Sequence, residues 1–441
     1  MYALPAEPQV ATPACTATSC EVTLDADAVL ALADRLTAAR RFTEAAPLLK
    51  SLEAANKFPA ERHFLQGYIA VETAAYETAI KHFRSALSLR PDMTRARLEL
   101  ARTLALVGRN QASDYHFRLA GASGALPDDL SRAIFNARAL LRDRNRLGLD
   151  VSFGLAPDTN INNATADQTV EVDFGGIRLP LELSEDARRT SGVGLTSTIS
   201  GRARQPVGET TTLVAEGFGR FIVYPWSDRN FDDYSLNVAA GPEWSLSKGR
   251  TRLSVMGQGG GRWFAGRQLQ SSLGARLVGE HILSRSLRLN ANIDLRHLES
   301  GIDPGFGGEQ YALRVTLDRV VRQSLIVTGG FTVRRDALLD PAFATTEAGL
   351  LLGLGGELPK GINIGASVDA AFAQADAVAP LLSDKRRQDW RLGARLTLGS
   401  RNLRLWGFSP VMVYSMQANY SSVSFFSFTR HRLELSMSRF F

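Results

Sequence analysis

The stretch Arg285–His297, RSLRLNANIDLRH, alternates strictly between apolar and polar residues. Leu287, Leu289, Ala291, Ile293 and Leu295 share one face of an extended strand, and Arg288, Asn290, Asn292, Asp294 and Arg296 share the other. Tyr311, Leu313, Val315 and Leu317 repeat the pattern against Arg314, Thr316 and Asp318. Ile362, Ile364, Ala366 and Val368 do so against Asn363, Ser367 and Asp369, and Trp390, Leu392, Ala394, Leu396 and Leu398 against Arg391, Arg395 and Thr397. A soluble sandwich would turn its apolar faces inward, but from Leu147 to Phe441 the pattern predicts about fourteen strands of roughly 10 to 15 residues, long enough to cross a bilayer when tilted. Tight connections near Lys248, Arg285, Gln323 and Pro359 alternate with longer ones such as ESGIDPGFGGE and QADAVAPLLSDKR. That asymmetry separates periplasmic turns from external loops and places both the start and the end of the barrel in the periplasm.

If the apolar faces meet lipid, Arg276, Glu280, Arg288, Asp294, Arg296, Arg314, Asp318, Arg391, Arg395, Arg432 and Glu434 face the lumen. Opposite signs there form either an internal salt-bridged network or the lining of a wet conduit. Tyr224, Trp226, Trp263, Phe264, Trp390 and Trp406 fall near strand ends, where interfacial girdles form. The final strand, TRHRLELSMSRFF, ends on Phe441, a terminal aromatic of the kind read by outer-membrane assembly machinery.

Before Leu147 the period changes to 3.6. From Leu24 to Arg146 the chain is rich in Ala, Leu, Arg and Glu, and one 34-residue window carries Gly67, Ala79, Phe83, Ala86 and Pro91 at the small, small, aromatic, small and terminating positions of a tetratricopeptide repeat. Ala101, Phe117 and Ala120 follow one period later, and Ala33, Ala45 and Leu49 precede it by one. Gly67 and Ala79 are expected to permit close helix crossing, with Phe83 filling the groove. A last helix, opened by Pro127, Asp128 and Asp129, is expected to cap the stack. Such solenoids present a concave face to a protein partner, the alternative being a rigid spacer.

The sequence therefore predicts an α + β multidomain chain: a tail over residues 1–23 expected to be disordered, a periplasmic tetratricopeptide solenoid over 24–146, and an antiparallel transmembrane β-barrel over 147–441. Composition fits this division. The hydrophobic fraction is 44% and no run of apolar residues is long enough for a spanning helix. The formal charge of +6 arises from 51 basic and 45 acidic residues with no basic block, which excludes a nucleic-acid partner. Cys15 and Cys20 are the two cysteines; an oxidising periplasm suits that scarcity, and the pair is expected either to close a small disulfide or to remain as two thiols. The opening MYALPAEPQVATPA has no basic and apolar regions of an export signal, so that signal is expected to have been removed.

After the first predicted strand comes FGLAPDTNINNAT, and the chain closes on GFSPVMVYSMQANYSSVSFFSFTRHRLELSMSRFF. Together with the repeat domain these segments resemble the surface lipoprotein assembly modifier family, with Pro157, Asp158, Thr159, Asn160 and Asn162 of PDTNIN the most specific part. The resemblance implies a fourteen-stranded barrel with a periplasmic repeat domain that delivers particular lipoproteins or soluble proteins across the outer membrane. PDTNIN supplies short side chains that cap turns, so it is expected to form a fixed turn or plug at the barrel entrance, or to touch cargo. One alternative is a polysaccharide export porin with periplasmic helical repeats. Another is a barrel hydrolase using His281, His297 or His431, but none of these stands beside an evident nucleophile and acid, and no cofactor or metal-binding spacing is present, so the chain does not read as an enzyme.

Overall fold

Three helix pairs and one further helix build the first third of the computed structural model, which describes residues 14–15, 20–21, 24–122, 126–144, 146–174, 177–227, 231–321, 325–358, 362–380, 382–400, 403, 405–406 and 408–440. The pairs are α1 (Ala26–Ala38) with α2 (Phe42–Ala54), α3 (Pro59–Glu72) with α4 (Tyr76–Leu89), and α5 (Thr94–Leu106) with α6 (Asn110–Gly121); α7 (Asp128–Arg144) follows. Asp25 caps α1 by accepting from the Ala28 N–H at 2.7 Å, and Pro59 opens α3 where no N–H is needed. The second helices begin at Phe42, Tyr76 and Asn110, each 34 residues after the last. Their equivalent positions Ala45, Ala79 and Ser113 are fully buried.

The packing follows the repeat signature. A Cβ on Gly67 would stand 2.7 Å from the Phe83 ring, so only glycine lets α3 lie this close to that side chain. Phe83 is wholly buried among Phe64, Ile80 and Leu100, and burial of such a side chain contributes about 1.5–3 kcal/mol. Ala86 is also fully buried, and Pro91 ends the pair. The third pair departs from the pattern. Phe117 is only half-buried, whereas His116 and Arg97 are enclosed; Arg97 Nη2 donates to the Pro91 carbonyl at 2.7 Å and Nη1 to His116 Nδ1 at 3.4 Å. A buried guanidinium thus replaces aromatic filling at the end of the stack.

Fourteen antiparallel strands close into a barrel. In chain order they are β1 (Leu147–Asp158), β2 (Gly192–Pro206), β3 (Thr211–Val223), β4 (Asp233–Leu246), β5 (Thr251–Phe264), β6 (Arg267–Ile282) and β7 (Leu287–Ser300). They continue as β8 (Gly308–Val321), β9 (Leu325–Leu338), β10 (Thr345–Leu358), β11 (Ile362–Val378), β12 (Arg386–Ser400), β13 (Ser409–Ser421) and β14 (Phe428–Phe440). Every neighbour is adjacent in sequence except β14 and β1, whose pairing closes the ring and leaves no strand edge unpaired. A strand of about 14 residues is roughly 48 Å long, and at the usual tilt it covers about 36 Å of membrane.

Register keeps like faces together: Leu289 pairs with Leu317, Ile293 with Leu313 and Leu295 with Tyr311 on the outer face, while Arg288 pairs with Asp318 and Asn292 with Arg314 on the inner one. The start of β1 and the end of β14 share one end of the barrel with the short turns, such as 247–250 and 283–286. The opposite end carries the longer connections, including the one between β1 and β2 with its own hairpin, Thr169–Phe174 against Ile177–Glu182.

Two compact units correspond to the helices and the barrel, the division falling between Leu141 and Arg142 inside α7, slightly before the expected Arg146. Most of residues 1–23 lies outside the described residues. Within that span Ala14–Cys15 pairs with Cys20–Glu21 and sets Cys15 opposite Cys20, so the expectation of a tail without structure is corrected there.

Candidate functional site

PDTNIN sits where the barrel closes. Asp158 ends β1 with a fully buried side chain, and its carboxylate accepts from Arg430 of β14: Nε at 2.9 Å and Nη2 at 2.5 Å from Oδ2. Oδ1 accepts from the Asn160 N–H at 3.0 Å, an Asx-type turn that bends the chain off the strand. The Thr159 N–H donates to the His431 carbonyl at 3.0 Å, and its Oγ1 accepts from the His431 N–H at 2.9 Å. Asn160, with no exposed surface, donates to the Ala164 and Thr429 carbonyls and accepts from the Ala164 N–H. Asn162 bonds the Arg188 carbonyl and the Thr190 N–H, fastening the far end of the connection before β2. Arg430 also donates to Asn163, which holds a left-handed conformation at φ 52°.

The motif is therefore a clasp joining the first strand to the last. It offsets a gap in the same seam. The β1–β14 ladder runs from Phe440 opposite Asp150 to Leu435 opposite Leu155 and resumes only at Arg432 opposite Asp158. Thr159 turns its N–H toward β14, so Pro157 two residues earlier faces the same neighbour with no N–H to give. Gly154 allows the close approach lower in the seam, where a Cβ would collide with the Leu435 carbonyl.

The motif forms a fixed turn at the long-loop end, opposite the end where the barrel chain begins and finishes. Asp158 and Asn160 are buried and hydrogen-bonded to internal partners. Ile161 anchors the loop in an apolar cluster with Ile222, Tyr224 and Phe231, against which Phe264 packs. Tyr224 and Phe264 thus lie in this inner cluster and not in an interfacial girdle; Trp226 and Trp390 remain exposed. The alternation along β3 already assigns Tyr224 inward with Ile222, a phase that its place at a strand end obscures.

Most of the sequence-predicted inner charges fall into ion-pair chains. Arg288 and Arg252 meet Glu280 at 3.2 and 2.5 Å; Arg276 and Arg296 meet Asp294 at 3.0 and 3.2 Å. Arg391 pairs with Glu347 and lies 3.6 Å from Asp389, and Asp318 accepts from Thr328 and Asn290. Arg314 and Arg395 face inward by register, but neither has an ion pair among the described residues. Arg220, Arg262 and Arg430 also belong to this lining and follow from the same alternation. Phe441 lies outside the described residues.

The family model for the surface lipoprotein assembly modifier matches residues 148–441, the whole barrel from its first strand. The chain belongs to the surface lipoprotein assembly modifier family. "Surface lipoprotein assembly modifier 1" of Haemophilus influenzae is 22% identical over 381 residues, covering 84% of this chain and 75% of the relative. The surface lipoprotein assembly modifier of Pasteurella multocida is 22% identical over 400 residues, covering 85% and 75%. Among solved structures, a Pseudomonas aeruginosa FadL homologue aligns with a TM-score of 0.37 at 10% identity, over 67% of this chain and 90% of that one. As a member of this family with a closed fourteen-stranded barrel, the protein resides in the outer membrane. Its short-turn end, from which the chain continues back into the N-terminal helices, faces the periplasm. The PDTNIN clasp and the Arg430 that completes it both lie within the span shared with the family.

Proposed function

We propose that the protein is an outer-membrane assembly modifier that delivers specific lipoproteins or secreted proteins to the cell surface, with cargo held in the periplasm by the helical-repeat domain. The observation that carries this reading is the family match across residues 148–441, joined to relatives named for surface lipoprotein assembly that extend over most of the helical domain as well. Stacked helix pairs supply a partner-binding surface without chemistry of their own, and a barrel supplies passage through the bilayer. Division of labour follows: the helices select and the barrel conducts. The outer-membrane assembly machinery inserts the barrel by reading the last strand and Phe441.

The reaction is one of handling and release, not bond making. The three barrel histidines lie on outward-facing positions, where His281 meets Thr251 Oγ1 at 2.8 Å, His297 meets Glu309 at 2.8 Å and His431 meets the Tyr414 hydroxyl at 2.8 Å.

Surface protease accessibility of a lipoprotein encoded beside this gene provides the test. Cells carrying a barrel without residues 24–141 should insert that barrel and retain the cargo in the periplasm. Full surface display by the truncated protein would reduce the helical domain to a spacer.

A further inference from the structure

Inside the barrel, behind the clasp, the inner faces of β3–β5 and β12–β14 enclose a cavity of about 320 Å³. Arg220, Arg262, Arg395, Arg430 and Arg432 line it, against Asp233 and Glu434. The ion pairs on this wall do not cancel. Arg262 is held by Asp233, with Nε to Oδ1 at 3.0 Å and Nη2 to Oδ2 at 2.9 Å, and Arg430 is held by Asp158. One carboxylate then remains for three guanidiniums: Glu434 lies 3.3 Å from Arg432 and 3.7 Å from Arg220, while Arg395 has neither an ion pair nor a hydrogen bond among the described residues.

Two positive charges are left over in a confined space. Arg432 is only 6% exposed, and the Nε donors of both Arg432 and Arg220 are buried without an acceptor. Elsewhere in the lumen two guanidiniums share one carboxylate, Arg276 and Arg296 at Asp294 and Arg252 and Arg288 at Glu280, whereas this cavity sets three against Glu434. Asp369, diagonal to Arg395 across β11 and β12, is folded over Gly393 and does not line the cavity. Buried guanidinium donors without acceptors are costly unless an anion completes them.

The arrangement also indicates what kind of anion. Arg395 pairs in register with Ser415, and Ser415 with Arg432, so the two lie on one lateral row with their backbones about 10 Å apart. One compact tetrahedral ion is poorly matched to charges spread over that row. Carboxylates on alternate residues of an extended chain, about 7 Å apart, suit it better, since long arginine stems close the difference and each fork binds a carboxylate in two-pronged fashion. We propose that this chamber binds acidic side chains of an extended polypeptide segment, with Arg395 and Arg432 as the principal contacts and Arg220 sharing Glu434. The cavity admits a few side chains, not a folded domain. That the polypeptide is exported cargo rests on the function proposed above; the affinity of the chamber for carboxylates does not.

Titration calorimetry on the full-length detergent-solubilised protein tests it, with tetraglutamate, tetraglutamine and inorganic phosphate as probes. Tetraglutamate should bind saturably and lose affinity as salt rises from about 50 to about 500 mM. Tetraglutamine should not bind. Arg395→Gln should weaken tetraglutamate by about tenfold, yet keep normal heat-modifiable migration, since Arg395 has no internal partner to lose. Absence of saturable tetraglutamate binding, or equal affinity in the Arg395→Gln variant, would overturn the site. Phosphate binding as tight as tetraglutamate, and equally dependent on Arg395, would overturn the assignment to a polypeptide. Export is measured separately in cells: no tetraglutamate binding by the unaltered protein alongside normal cargo display refutes the chamber alone, and intact binding with no cargo export refutes the passage reading alone.

Discussion

Removing the carboxylate of the clasp should loosen the barrel at one place. In Asp158→Ala, Arg430 loses its partner and the Asn160 N–H loses its acceptor, while Arg430 stays largely enclosed, its side chain 15% exposed. Breaking a buried pair from one side costs about 3–5 kcal/mol; because some water reaches Arg430, the lower end applies, about 3 kcal/mol or roughly two powers of ten in the folding equilibrium. Arg430→Gln should act in the same direction, and the double variant should cost less than the two single losses added together, because the second change removes a charge already stranded. Arg202→Gln serves as the comparison, since the Arg202–Glu216 pair is open to solvent at 59% for the arginine side chain and should matter by less than about 1 kcal/mol. The assay is the urea concentration at which the heat-modifiable band is lost in detergent, with tryptophan fluorescence in parallel. If Asp158→Ala unfolds at the wild-type midpoint, the motif does not hold the seam and the reasoning fails.

Other consequences are open to measurement. Gly67→Val should drive a side chain into the Phe83 ring, destabilising the helical unit by about 1–3 kcal/mol, and Phe83→Leu should restore part of the loss in the helical circular-dichroism melt. Gly154→Val should hinder ring closure and lower the yield of folded barrel, whereas Gly217→Val, with nothing within 4 Å of its added Cβ, should assemble normally. His63 and His82 face each other with Nδ1 atoms 3.2 Å apart, and both titrate below the ordinary histidine range: burial lowers each, Arg62 further lowers His63, and His63 further lowers His82. The unfolded chain therefore takes up protons first as pH falls below about 6.5, so the helical melt should be highest above that pH and drop toward pH 5, and His63→Gln with His82→Gln should flatten the dependence. Deleting Phe441 should reduce assembled barrel far more than Arg439→Lys, as seen by outer-membrane yield; equal yields would remove the terminal aromatic as an assembly signal.

The barrel was legible because membrane and lumen impose opposite chemistry on alternate residues, so Leu289 and Asn290 report their faces without further context. The helical repeats were legible for a similar reason: Gly67 and Phe83 meet so closely that few other residue pairs fit. Partners far apart in sequence were not legible. PDTNIN reads as a turn because Asp158 and the asparagines cap locally, yet its decisive partner, Arg430, is one of two inward arginines on the last strand. Tyr224 and Phe264 resembled girdle residues by their place at strand ends, but their phase turns them toward Ile161. The charge imbalance around Glu434 requires strands 3, 12 and 14 to be brought together, which no local pattern encodes.

The Asp158–Arg430 contact joins residues 272 positions apart, so it also fixes an order of events in time. Pairing between β1 and β14 is the most non-local step in the barrel, and contacts of that span form slowly because the intervening chain must first be organised. Until β1 and β14 pair, each is an open edge, and the Asp158 carboxylate lacks the Arg430 guanidinium. The ring therefore cannot close until β1 and β14 meet, and the clasp forms only with that closure.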